Sequence, residues 1–522
     1  MLTTRPRDRY DVVVVGSGAA GLTAAVAAAD AGMSVVVLEK AERLGGTSAV
    51  GGGVIWAPGN DLMAEAGFPD SPAAARAYLG TGRMSAAEID AYVADAPAAI
   101  RFLTGAGVRM RPLARPDYHP EWPGAARGRG LDQEPFDPRP WPGLAEAIRP
   151  PTYFPLITMA ERDALAGGAA DPDLLAQRAA DGVRTMGGAL VGRLLVAALE
   201  RGVDIVAGTP VTGLEPGWTV RAGREIRASA VVLASGGFEW NPTLREAFLP
   251  FPVTPISAPS NTGDGLVLGL RAGAAVGDMT AVWGVPVLTP PTARYDGQQS
   301  GRMGNVEMTL PGSLTVTAAG RRFVNEATNY HDLNRAFGPI GSRAFLVFDR
   351  AYLDRYPVAG CSGPQPWMIQ ADSPAGLAAA AGIDPALVET VEAFNAAARR
   401  GEDPEFGRGQ SPQDRHLGDP AVTPNPCLAP VETAPFFAVP VHAGVLGTAG
   451  GLATDGNGQV VDHDGAPIPG LYAAGNCAAT LFHDAYPGGG ATLGSAVVRA
   501  YRAGRHLGSL ARSVEREVAS GA

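Results

Sequence analysis

Between a run of valines and a run of alanines stands Gly16-x-Gly18-x-x-Gly21, and no other stretch of the chain constrains the fold as tightly. Val12–Val15 is continuous and β-branched, the pattern of a parallel strand buried on both faces. Leu22–Ala29 is small and apolar, which suits a helix lying close on a sheet. Ser34–Leu38 reads as a second strand and ends at Glu39. Strand, glycine turn, helix and strand make one βαβ unit, whose crossover is right-handed. In such a turn Gly16 permits the tight bend, Gly18 lets backbone approach a pyrophosphate, and Gly21 lets the helix pack against the strand. The helix start then offers free N–H groups and the positive end of its dipole to phosphate. Glu39 falls eighteen residues after Gly21, where a carboxylate accepts ribose hydroxyls. The pattern predicts a dinucleotide site.

The chain has 522 residues, about three domain equivalents. Helical stretches from about 60 to 190 surround a Pro/Gly/Arg-rich segment, Arg111–Pro151, which reads as an ordered loop rather than a strand or long helix. Strand-like sequence returns at Val203–Ala207, Val211–Leu214 and Ala230–Ala234. Residues 280–435 are mixed and Pro-rich and read as a separate unit; short strands and turns follow over Leu452–Gly475. The last unit starts at Pro487-Gly-Gly-Gly and continues as a helix, Ala491–Leu507. The expected division is therefore 1–279 and 436–522 for one domain assembled from both ends, with 280–435 inserted.

Composition removes several classes of function. The net charge is -10 and basic runs are absent, which argues against nucleic acid and anionic membrane surfaces. Cys361, Cys427 and Cys477 are far apart and form no CxxC, and the seven histidines show no HxH or HxxxH spacing, so no metal is expected. The polar Met1–Tyr10 runs straight into a strand, and no apolar run reaches the length of a membrane span. A cytoplasmic protein with reduced thiols is the expectation.

Later glycine segments distinguish one dinucleotide from another. Arg43-Leu-Gly-Gly-Thr-Ser48 and Gly51-Gly-Gly53 follow the acidic residue directly and let backbone run alongside an extended cofactor. Gly470-Leu-Tyr-Ala-Ala-Gly-Asn476 is a short strand ending in a turn, and a glycine-led helix follows. A helix start there can offer N–H donors to the pyrimidine edge of a flavin, which gains negative charge on reduction. In this order the segments predict FAD.

With these segments the chain resembles the fumarate reductase/succinate dehydrogenase flavoprotein superfamily, and within it the 3-ketosteroid dehydrogenases, above all the Δ1 enzymes. The resemblance spans nearly the whole chain. It is carried by Gly45-Gly-Thr-Ser48, Ala234-Ser-Gly-Gly-Phe-Glu239, Asn261-Thr-Gly-Asp-Gly265, Arg322-Phe-Val-Asn-Glu326, Gly450-Gly-Leu-Ala-Thr-Asp455, Gly470–Asn476 and Tyr486-Pro-Gly-Gly-Gly-Ala-Thr492. It implies an α/β fold: a Rossmann-like FAD domain of the glutathione-reductase type with an inserted α+β catalytic domain. Carried onto this chain, the cofactor contacts fall on Gly16, Gly18, Ala19, Ala20 and Gly21, then on Glu39 and Lys40. They continue through Gly45, Gly46, Thr47, Ser48, Gly52 and Gly53, and then through Val211, Ser235, Gly236, Asn261 and Asp264. Gly475, Asn476, Ala491 and Leu493 complete the set at the far end. Succinate dehydrogenases attach FAD through a histidine near the Gly45 segment; this chain has none there, so the flavin is expected to be non-covalent.

The resemblance also implies a reaction. Desaturating a ketone beside its carbonyl needs an electrophile on the carbonyl oxygen, a base for the α-proton and a hydride acceptor at the β-carbon; flavin N5 is the acceptor. Tyr486 and the Gly490 N–H match the family's carbonyl-holding pair, where negative charge develops as the enolate forms. Tyr330 matches the proton-abstracting tyrosine and Tyr118 the tyrosine that assists it, help that a phenol with a pKa near 10 requires. Three positions depart from the family: Ala449 where a lysine is usual, Gly489 where a proline is common, and His119 where some relatives carry a second tyrosine. The expected partners are a cyclic ketone or steroid and an external electron acceptor. Alternatives are the Δ4-(5α) reaction, a fumarate-reductase-like reduction of an unsaturated carboxylate with Arg335 as the cation near the Asn-Glu segment, and a non-enzymatic flavin redox carrier.

Overall fold

The computed structural model describes residues 5–165, 169–341 and 343–520, with side chains to 512. The opening unit is β1 (Arg9–Val15), α1 (Ala19–Asp30) and β2 (Val35–Leu38), paired in parallel with Val12 opposite Val35. β1 lies between β2 and the strand Glu225–Leu233, also parallel, and Asp204–Val206 extends the sheet beyond β2. On the other side Pro467–Ala473 pairs in parallel with Glu225–Leu233, so the chain's C-terminal part completes the sheet that its N-terminus began. The valines of β1 and β2 are buried between two apolar clusters, one on each face, as their unbroken β-branched runs require. The terminal helix Ala491–Ser520 packs along α1 and is longer than the expected Ala491–Leu507.

A second, seven-stranded sheet is built on Phe436–Thr448, which pairs with Val282–Leu288, Arg343–Asp349 and Ile369–Ala371 antiparallel and with Thr254–Pro255 in parallel. It therefore draws strands from both sides of the 280–435 segment. Its two faces carry their own apolar cores. Segment Arg111–Pro151 departs from the loop expectation. Gly130–Gln133 is the middle strand of a three-stranded sheet between Ile55–Trp56 and Met110–Pro112. Its backbone groups find partners distant in sequence, which local composition does not reveal. Likewise Val211–Leu214 begins as coil, and the strand there is Gly213–Glu215. Among the described residues no helix is long and apolar enough to cross a membrane.

Candidate active site

One cavity of about 760 Å³ runs from the fingerprint, along the 46–53 glycines, to all three tyrosines. Gly16 adopts φ +107°, and a Cβ there would lie 2.5 Å from the Ala234 carbonyl oxygen, so only glycine makes this turn. Gly18 caps α1 without any side-chain hydrogen bond, leaving its place at the cavity open to a ligand's oxygens. Ser48 Oγ accepts from the Ala19 N–H at 3.0 Å and ties the helix start to the second glycine segment. Glu39 is buried at the cavity wall; Ser17 donates to Oε2 from N–H (3.0 Å) and hydroxyl (2.7 Å), and the Ala41 N–H to Oε1 (2.9 Å). Oε2 thus accepts two bonds and Oε1 one, so a ribose hydroxyl remains within the capacity of Oε1. Lys40 is held by Asp264 and Thr262 Oγ1, both at 2.6 Å. Asn261 donates to Thr47 Oγ1 at 2.9 Å and to Glu239 at 2.6 Å.

Ala20, Gly46, Gly52, Gly53, Val211, Ser235, Gly236, Gly475, Asn476 and Leu493 also line this cavity. Gly21, Gly45 and Ala491 stand behind its wall rather than on it. A Cβ on Gly21 would meet the Gly16 carbonyl at 2.0 Å, and one on Gly45 would meet Ala49 and Val191 at 2.7 and 2.9 Å. Their contribution is to close packing. Such a long glycine-lined trough with a carboxylate near one end fits an extended dinucleotide.

At the other end the tyrosines converge from three separate segments. Ring centroids are 5.2 Å apart for Tyr118 and Tyr330, 5.4 Å for Tyr330 and Tyr486, and 5.6 Å for Tyr118 and Tyr486. Buried cross-links hold them there. Asp117 accepts from Trp56 Nε1 (2.8 Å) and Arg129 Nη1 (2.7 Å), while Arg129 also grips Asp70, and this fixes the loop carrying Tyr118. The Tyr118 N–H donates to the Pro487 carbonyl (3.1 Å), joining that loop directly to the one carrying Tyr486. Asn329 caps the helix Tyr330–Arg335, its side chain accepting from the Asp332 N–H at 3.0 Å.

Burial pushes all three phenols above their usual range, because phenolate loses hydration. Opposing influences differ among them. Tyr118 is pulled back by a hydrogen bond from Tyr330 and by the charge of Arg115. Tyr486 is pulled back by the Thr492 hydroxyl (3.1 Å), by Tyr330 and by the Thr492 and Gly490 N–H groups. Tyr330 receives no such help: its neighbours Tyr118 and Tyr486 raise it further. Gly490 has φ +98°, and a Cβ would lie 2.5 Å from the Val54 carbonyl oxygen.

His331-Asp332, beside Tyr330, meets His483-Asp484, beside Tyr486. Gly284 N–H donates to His331 Nδ1 (3.4 Å), and His331 Nε2 lies 3.1 Å from the Asp484 carbonyl. Burial holds this imidazole neutral, and its ring packs 5.5 Å from Tyr486. Arg335 reaches the Asp484 carbonyl (3.1 Å) and is half exposed, outside the cavity lining. His119 also turns from the cavity and stacks on Trp122 at 3.8 Å, so its departure from the family does not touch the cavity wall. At Gly489 a Cβ would lie 3.2 Å from the Tyr118 hydroxyl, so that departure does shape the site. Trp283, edge-on to Tyr486 at 5.2 Å, and Thr492 were not singled out from sequence; Thr492 at least lies within the Tyr486–Thr492 landmark.

The FAD binding domain family model matches residues 11–493, and the chain belongs to this family. It is an FAD-dependent oxidoreductase. It is 40% identical to 4-oxocyclohexanecarboxylate 2-dehydrogenase of Sinomonas cyclohexanicum, over 97% of this chain and 94% of that protein. It is 37% identical to 3-oxosteroid 1-dehydrogenase of Mycobacterium tuberculosis (strain ATCC 25618 / H37Rv), over 95% of this chain and 98% of that one. Among solved structures it is similar to 3-ketosteroid Δ1-dehydrogenase of Sterolibacterium denitrificans in complex with 1,4-androstadiene-3,17-dione: TM-score 0.89, 32% identity, covering 96% of this chain and 100% of that one. Purified protein is expected to be yellow and, because no histidine stands near Gly45–Ser48, to release its flavin on acid denaturation. Colour retained in the precipitate would show a covalent bond.

Proposed function

We propose that the protein introduces a C=C bond next to the carbonyl of a cyclic ketone, in the manner of the 3-ketosteroid Δ1-dehydrogenases and the oxocyclohexanecarboxylate dehydrogenase it resembles. The observation that carries this reading is the convergence of Tyr118, Tyr330 and Tyr486 on one end of the FAD cavity. FAD, when bound, supplies the acceptor for the β-hydride. Tyr486 O–H and Gly490 N–H hold the carbonyl oxygen and stabilise the enolate charge that develops there. Tyr330 takes the α-proton. Because it donates to Tyr118, it passes its own proton on, and the phenolate charge is best tolerated on Tyr118, where Arg115 offsets it. Only glycine fits at 490, where φ is +98° and a Cβ would lie 2.5 Å from the Val54 carbonyl oxygen.

The dicarboxylate alternative is disfavoured by Arg335, which is spent on Asp484 outside the cavity. Anaerobic mixing with a panel running from substituted cyclohexanones to 4-androstene-3,17-dione should bleach the flavin and give an α,β-unsaturated ketone, while succinate should leave it yellow. Bleaching by succinate and by no cyclic ketone would move the site to dicarboxylate chemistry.

A further inference from the structure

Past the tyrosines the cavity continues into a charged end of which the ketone chemistry uses Arg115 alone. Arg115, three residues before Tyr118, is paired with Asp163 through Nε (2.7 Å) and Nη2 (2.5 Å). Two more guanidinium groups line the same end, Arg162 on the helix Met159–Ala164 and Arg302 on the edge strand Arg302–Met303. Among the described residues neither side chain has a hydrogen bond or a carboxylate within 4.0 Å. Each lies instead over an aromatic ring: Arg302 is 4.8 Å from the centroid of Tyr153 and Arg162 is 6.0 Å from that of Phe154. Those rings pack against one another at 4.7 Å, so the two cations are carried on one aromatic shelf.

The surrounding charges, Glu307 and Asp163, offset them only in part. Asp163 is engaged by Arg115. Glu307, also on the lining, receives the Ala359 N–H at 3.2 Å, and burial draws its carboxyl upward toward the neutral form. His416 adds no charge at neutral pH, since burial and Arg115 lower it to about 4. Burial and the neighbouring Arg115 also work against the charge on Arg162, an unfavourable state that a bound anion would relieve. Formally, the three arginines Arg115, Arg162 and Arg302 face the two carboxylates Asp163 and Glu307, leaving one positive charge on the cavity lining. A planar guanidinium fork matches a carboxylate in shape as well as charge.

We propose that Arg162 and Arg302 bind a carboxylate on the ring of the substrate, making the preferred substrate a compact cyclic keto acid rather than a neutral steroid. The proposal rests on the ketone-dehydrogenation reading for its substrate class, and the anion site itself stands apart from that chemistry. Cyclohexanecarboxylate, which has no ketone to oxidise, separates the two. Titrated into the holoprotein and followed by flavin absorbance, it should bind roughly 10- to 100-fold more tightly than its methyl ester, the scale of a charge-assisted hydrogen bond. Arg162→Met and Arg302→Met should each bring that preference toward unity, and Arg162→Lys should restore part of it. With 4-oxocyclohexanecarboxylate the loss should appear in KM, as expected for uniform binding. Equal binding of acid and ester by the wild-type holoprotein overturns the proposal, as does an undiminished preference in both methionine variants. Arg162-dependent binding without bleaching by any cyclic ketone would instead keep the anion site and remove the dehydrogenase reading.

Discussion

Tyr330→Phe is expected to lower turnover by roughly 10²-fold or more, and Tyr486→Phe by a similar factor, the scale on which acid–base and oxyanion groups act. Both changes remove one oxygen and keep the ring. The contacts of Tyr486 with Trp283 and of Tyr330 with Tyr118 are therefore retained, and flavin content and thermal midpoint should stay near wild type. The two variants should differ in kind. Without Tyr330 the α-proton has no acceptor, so washout of an α-deuterium label should stop. Without Tyr486 the carbonyl loses a donor while Gly490 N–H remains, so washout should slow and persist. Rate should also rise with pH. Burial sets the phenols above their usual range, so the phenolate becomes populated only as pH climbs into the alkaline region. Removing the Arg115 charge should push that rise higher still, because Arg115 favours phenolate on Tyr118. Near-normal turnover in either phenylalanine variant would take that residue out of the mechanism.

The parts of this site legible from sequence are those whose physics is local. The valine run, Gly16 and Glu39 lie within one βαβ unit, and each is recognisable from its neighbours in the chain. Tyr118, Tyr330 and Tyr486 came from resemblance; no periodicity unites residues that meet only through long-range packing. Arg115, Arg162 and Arg302 were legible by neither route. Arg115 sits in a segment already rich in arginine, and only the fold separates it from Arg111 or Arg127, which point elsewhere. The same holds for Phe436–Thr448. Its role as the centre of the second sheet depends on partners far earlier in the chain, as at Thr254, which lies opposite Gly444.

Arg322→Met should destabilise the protein by about 3–5 kcal/mol, the cost of leaving buried charge without its partner. The Arg322 guanidinium donates to Glu326 at 2.9 and 2.6 Å and to Asp403 at 2.8 and 2.8 Å, and all three side chains are buried. Arg408 adds a second cation 3.4 Å from Glu326 and donates to the carbonyls of Ser313, Thr309 and Leu310. Burial alone would raise Glu326 and Asp403, but the arginines prevail and hold both below the usual carboxylate range. A depressed folded value means that this stabilisation is present above the unfolded pKa, near 4, and is lost as pH falls through the folded value. Methionine at 322 reverses the sign for Glu326 and Asp403, whose folded pKa should then rise. The deficit of the variant should therefore be larger at pH 7 than at pH 5, read as the shift in denaturant midpoint against wild type. A deficit independent of pH, or one below about 1 kcal/mol, would mean that the network is electrostatically idle. The effect reaches catalysis through chain connectivity: Glu326 receives the Thr315 N–H at 3.0 Å and anchors the turn that leads through Asn329 to Tyr330. Arg322→Met should thus lower turnover even where the fold survives, with flavin still bound, because Tyr330 has lost its footing rather than its hydroxyl.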